Sequence, residues 1–92
     1  MQRTALVATE NASRYLQQLS KHWAHKFEVE HTATTSRIEL PLGELRMQAS
    51  QTTLGLEISS DTTDGLDKLA GIVEQHLDRF AHRENGLAYE WL

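Results

Sequence analysis

Between Phe27 and Ser59 the apolar residues fall on every second position in four successive runs, and this block lies between two stretches whose apolar period is close to 3.6. Phe27, Val29 and His31 alternate with Glu28 and Glu30. Ile38 and Leu40 alternate with Arg37 and Glu39, Leu45, Met47 and Ala49 with Glu44, Arg46 and Gln48, and Leu54, Leu56 and Ile58 with Gly55, Glu57 and Ser59. Successive side chains of a strand point to opposite faces, so this pattern specifies four strands, each with one apolar and one polar face. The connections are short. Thr32–Ser36 reads as a polar loop, Pro41-Leu42-Gly43 as a turn and Gln51-Thr52 as a second turn, which makes the block an antiparallel meander with one side in water.

The flanking stretches supply the cover for its apolar face. After a short strand over Thr4–Thr9 and an N-cap at Asn11, the residues Ala12, Tyr15, Leu16, Leu19, Trp23 and Phe27 recur at helical steps. Arg14, Gln17, Gln18, Ser20, Lys21 and His25 form the polar remainder of that helix. A second helix follows the capping side chains of Asp61, Thr62 and Thr63, with the stripe Leu66, Leu69, Ala70, Val73, Leu77 and Phe80. Gly71 costs this helix about 1 kcal/mol against Ala, which points to close packing there. Asn85-Gly86 supplies a left-handed stop, and Leu87, Tyr89 and Trp91 alternate as a last strand. The element order is β-α-β-β-β-β-α-β over one domain, residues 1–92. The expected fold class is α+β, a two-layer sandwich with both helices on one face of an antiparallel sheet. That order resembles the TATA-binding-protein-like and helix-grip folds.

The predicted core is Leu16, Leu19, Trp23, Ile38, Leu45, Met47, Leu56, Ile58, Leu69, Val73, Leu77 and Phe80, each on the apolar phase of its element.

Composition narrows the function classes. The formal net charge is −4 and the cations are dispersed, which argues against nucleic acid, since phosphate backbones are bound by concentrated basic faces. Cysteine is absent, so thiolate chemistry and disulfides are excluded. No apolar run approaches a membrane span, and the first ten residues lack a signal-peptide core, so a soluble cytoplasmic protein is expected. There is no nucleophile elbow, Gly-rich phosphate loop or Ser-His-Asp order, which disfavours an enzyme and assigns no catalytic residue and no cofactor.

The densest chemistry is Lys21-His22-Trp23-Ala24-His25-Lys26, with a second cluster at His76-Leu77-Asp78-Arg79-Phe80-Ala81-His82-Arg83. The first cluster, preceded by Asn11-Ala12-Ser13-Arg14-Tyr15-Leu16, together with the second, Glu84 and the tryptophan near the end, resembles the bacterial domain-of-unknown-function family 2218. The resemblance spans nearly the whole chain. It implies a small bacterial domain, in some cases appended to siderophore-interacting flavin reductases, and through them a link to iron acquisition. It defines no catalytic or binding residues.

Three readings of the clusters follow. His22 and His25, three apart and about 60° from each other around a helix, can form half of an iron or zinc site completed by His76, Asp78 or His82, although Lys21 and Lys26 oppose a bound dication. They can instead be structural, with Trp23 in the core and both imidazoles bonded to carbonyls or to Glu74 or Asp78. Or Lys21, His22, His25, Lys26, His76, Arg79 and Arg83 can line a site for a small anionic ligand. A protein-interaction module docking on a flavin reductase is a further class. Both helices pack on one sheet face, so the two clusters are expected to lie within side-chain contact of each other, foremost Asp78 or Glu74 with His22 or His25. Glu74 and Asp78 otherwise read as surface ion-pair partners, Asp78 with His82.

Overall fold

In a computed structural model of the chain, which describes residues 1–84 and 86–92, the meander is as expected. β1 (Gln2–Ala8) leads into α1 (Ala12–Trp23). Then follow β2 (Val29–His31), β3 (Thr35–Leu40), β4 (Gly43–Ala49), β5 (Thr53–Ser59), α2 (Thr63–Phe80) and β6 (Glu90–Trp91). All neighbouring strands are antiparallel, and the six stand in the order β2-β3-β4-β5-β1-β6. The N-terminal strand thus closes on β5, the end of the meander, and the C-terminal strand closes on β1. Both helices cover one face, which gives the two-layer α+β sandwich.

The register decides which side chains enter the core. Ile38 lies opposite Leu45, Leu45 opposite Ile58, and Met47 opposite Leu56. These rows are buried and meet Leu16, Leu19, Trp23, Leu69, Val73 and Leu77 from the helices. Phe80 departs from the expected core. It is the last residue of α2 and only half-buried, packed against the edge of the core with its ring edge-on to His22 at 6.3 Å. Ser20, expected on the polar face, is fully buried, with Oγ on the Leu16 carbonyl at 2.7 Å and against Ser36 Oγ at 2.7 Å. The hydroxyl pair satisfies itself where α1 crosses β3, so a polar residue is tolerated inside. Ser36, expected in a loop, accordingly lies within β3.

Three local expectations are also revised. Asn11 precedes α1 but its side chain makes no cap bond; Nδ2 donates instead to Glu84, at 3.3 Å. Thr62, by contrast, caps α2 as expected, its Oγ1 accepting from Gly65 N at 2.9 Å. Gly71 faces open solvent, with nothing within 4 Å of where a Cβ would stand, so close packing is not its reason. α2 itself ends at Phe80, and a 3-10 turn over His82–Glu84 follows. Gly86 does have positive φ, at 85°, while Asn85 lies outside the described residues. The tail is strand only at Glu90–Trp91. Among the described residues no helix is long and apolar enough to cross a membrane.

Candidate functional site

The two basic clusters meet where the C-terminal end of α1 passes α2. Trp23 is buried there, and the His76 ring stands 4.9 Å from it and 5.6 Å from the His22 ring, centroid to centroid. α1 stops at Trp23 because the chain tightens into a turn. The N–H groups of Lys26 and Phe27 both return to the Trp23 carbonyl, at 3.0 and 2.8 Å. That turn throws His25 and Lys26 outward while Phe27 folds back against the core. The β3–β4 turn closes the far side with Leu40, Pro41 and Leu42, and α2 contributes Leu69, Ile72 and His76, which recur on one helical face. Together these surfaces bound a cleft of about 490 Å³, to which His22, Trp23, His25, Lys26 and Phe27 also contribute.

The turn behind Leu42 is fixed by Gly43. Its φ of +155° disfavours a side chain, and a Cβ would lie 1.9 Å from the Ser59 carbonyl oxygen and 3.0 Å from Leu69 Cδ1. The close approach packs the β3–β4 turn against the end of β5, beside the Leu69 side chain of α2. Leu42 itself is 38% exposed, an apolar side chain left at the mouth.

His76 has one nitrogen engaged: Nδ1 lies 2.8 Å from the Ile72 carbonyl oxygen four residues earlier. A carbonyl only accepts, so Nδ1 carries a proton and donates it to this contact. His22 and His76 are thus near neighbours, yet among the described residues no three His, Asp or Glu side chains are grouped to hold a metal ion. Lys21, Arg79 and Arg83 are exposed and line no part of this cleft; Lys21 lies instead on a polar groove with Arg14, Gln17 and Gln18. Of the seven residues singled out by sequence, the fold brings His22, His25, Lys26 and His76 together.

The expected partnership of Glu74 or Asp78 with the cluster histidines is replaced by another. Residues two apart on a helix point about 200° away from each other, so with His76 facing α1 both carboxylates face away from it. They grip the C-terminal tail. Glu74 Oε2 accepts from Trp91 Nε1 at 2.7 Å, and Asp78 Oδ1 accepts from Tyr89 OH at 3.0 Å and Leu87 N at 3.2 Å. Burial, and then the Asp78 hydrogen bond, push the Tyr89 phenol above its ordinary pKa. Asp78 also makes no ion pair with His82, whose Nδ1 lies 3.2 Å from the Arg79 carbonyl oxygen.

Sequence reasoning passed over two groups that the structure makes prominent. Glu84 accepts from Thr9 Oγ1, Asn11 Nδ2 and Tyr15 OH, which ties the turn after α2 to the β1–α1 junction. The Tyr15 hydrogen bond, ahead of those from Asn11 and Thr9, holds the Glu84 carboxyl below its ordinary pKa. The second is the apolar wall Leu40-Pro41-Leu42, whose alternation and turn residues give Leu40 to a strand and Pro41-Leu42 to a turn and neither to a site. Its signal was the two leucines flanking Pro41, more apolar surface than a solvent turn requires.

Comparison with known proteins agrees with this architecture. An NMR structure of PA4090 from Pseudomonas aeruginosa is similar at 33% sequence identity and a TM-score of 0.82, over 99% of this chain and 94% of that one. No curated protein matches the sequence. Residues 4–92 match the family described as "Uncharacterized protein conserved in bacteria (DUF2218)", so the block of Asn11 to Phe27 and the block of His76 to Glu84, joined by this sheet, mark a chain that belongs to that family.

Proposed function

We propose that the protein is a non-enzymatic ligand-binding or accessory domain whose site is the cleft between the end of α1, α2 and the β3–β4 turn. One observation carries the reading. The chain has 13 acidic residues against 9 basic ones, yet this cleft is lined by one lysine, three histidines and no carboxylate. Four other depressions of the surface each include at least one Glu. A mainly apolar recess of this size with a few convergent polar groups is the usual form of a small-molecule site, and the absence of acid selects for a ligand bearing negative charge. Screening small organic compounds against the ¹⁵N-labelled protein tests this. Shifts are expected at the amides of Trp23, Lys26, Phe27, Leu42 and Ile72; hits confined to other surfaces would overturn it.

A second reading, a protein-interaction module, has its own observation. On the sheet face away from the helices Leu6 is 56% exposed and Leu92 is 82% exposed. They border a shallow trough floored by Gly55 and edged by Arg37, Arg46 and Glu57. The family resemblance supplies the partner for this reading, a siderophore-interacting flavin reductase in an iron-acquisition setting. Co-purification of that reductase with the wild-type protein, lost in Leu6→Glu, is the expected result.

A further inference from the structure

We infer that the ligand of the cleft is an amphipathic monocarboxylate, bound with its apolar body inward and its carboxylate at the mouth; the inference rests on the cleft being a ligand site. The argument is the gradient of burial across its lining. The deep residues, Trp23 and Leu69, are buried, and Phe27, Leu40 and Ile72 are half-buried, all without a charged atom. Every charged or titratable side chain of the lining except His76 is exposed: His22, His25 and Lys26. His76 lies deeper, with Nδ1 engaged on the Ile72 carbonyl.

Such a recess rewards a molecule with the same polarity. Water in the apolar depth is displaced favourably by a hydrocarbon or aromatic body, and Trp23 offers an aromatic surface to it. A polar ligand seated there would lose hydration without gaining partners. At the mouth, an ammonium and two imidazoles with N–H donors offer charge-assisted hydrogen bonds to an oxyanion that keeps part of its hydration. The lining contains no arginine, so the planar fork suited to gripping a dianionic phosphate is missing and one fixed ammonium matches one unit of negative charge. The exposed Leu42 fits the same scheme, because a ligand body crossing the mouth would cover it.

Three probes separate the components: 2-naphthoate, its neutral isostere 2-naphthamide, and acetate, each titrated into the ¹⁵N-labelled full chain. Naphthoate is expected to shift the Trp23 indole N–H and the amides of Lys26, Phe27 and Leu42, and to bind about tenfold tighter than naphthamide, the scale of one charge-assisted contact at a wet rim. Lys26→Gln, at an exposed position, is expected to erase that difference. Equal binding of naphthoate and naphthamide would overturn the anionic class yet leave the cleft as a site. Acetate shifting the same amides as strongly as naphthoate would overturn the amphipathic class. Absence of shifts in the cleft with all three would overturn the reading of the cleft itself.

Discussion

Glu84 concentrates three donors on one carboxylate, and its chemistry sets a pH dependence. Its folded pKa is lowered below the ordinary 4.5, so the folded state binds the proton less readily than the unfolded chain. The stabilisation is therefore complete above that ordinary value and is lost as pH falls through the folded one. Glu44, lowered chiefly by its Arg46 hydrogen bond and also by Arg37, adds a second contribution of the same sign. Glu84→Gln should cost about 1–2 kcal/mol at neutral pH, the range for losing part of a charged hydrogen-bond set, and flatten the acid limb of urea midpoints against pH without abolishing it. An acid limb as steep as wild type would remove Glu84 from this role. Trp23→Ala should cost about 3–5 kcal/mol in the same assay, the range for truncating a core aromatic. Trp23 was legible in the sequence because it lies on the helical stripe. The role of Glu84 was not, because its partners Thr9, Asn11 and Tyr15 lie 69 to 75 residues away and no local pattern records such a meeting.

Period alone disclosed each main helix and meander strand, since burial on one face is what imposes alternation. Periodicity fails where an element is fixed by something other than its own face. β6 is two residues long because two backbone pairings to Ala5 and Leu6 suffice once Glu74 and Asp78 hold the tail side chains. Those carboxylates were legible as a pair on one helical face, i and i+4, and that spacing also places them away from His76; what they faced depended on where the chain returned. Gly71 illustrates the opposite case, a local cost with no tertiary compensation. It is the ninth residue of the 18-residue α2, exposed, with free space at the Cβ position. Gly71→Ala should stabilise by about 0.5–1 kcal/mol through helix propensity and reduced freedom of the unfolded chain, read as a raised urea midpoint at unchanged slope. Gly43→Ala should do the reverse, because its Cβ would overlap the Ser59 carbonyl. A Gly71→Ala variant less stable than wild type would show that α2 needs this glycine for a reason outside its own helix.

At the scale of the molecule, the chain closes its sheet with its two ends. β1 hydrogen-bonds β5 over seven residue pairs, from Gln2 with Ser59 to Ala8 with Thr53, and β6 adds to the other side of β1, with Leu92 N donating to the Thr4 carbonyl at 2.8 Å. The meander, its order and its covered face could be derived from the sequence. The insertion of β1 between β5 and β6 could not, because alternation says which face a strand buries and nothing about which neighbour it pairs with. The same limitation applied to the cleft: both histidine clusters were visible, but their apolar wall came from the β3–β4 turn, distant in sequence from each. This closure makes the tail part of the single core. Leu87, Tyr89 and Trp91 pack against the buried cluster, while Trp91 and Tyr89 are bonded to α2 and the backbone of β6 to β1. Removing any one of these layers exposes apolar surface in the others, so small single domains of this kind unfold in one transition. The indole N–H resonances of Trp23, at the α1–α2 junction, and Trp91, on the last strand, report the two regions without any substitution. Followed through a urea titration, both folded-state signals should disappear with the same midpoint. A lower midpoint for Trp91 would show that β6 melts on its own, and that the bonds from Glu74 and Asp78 hold the tail locally without coupling it to the core.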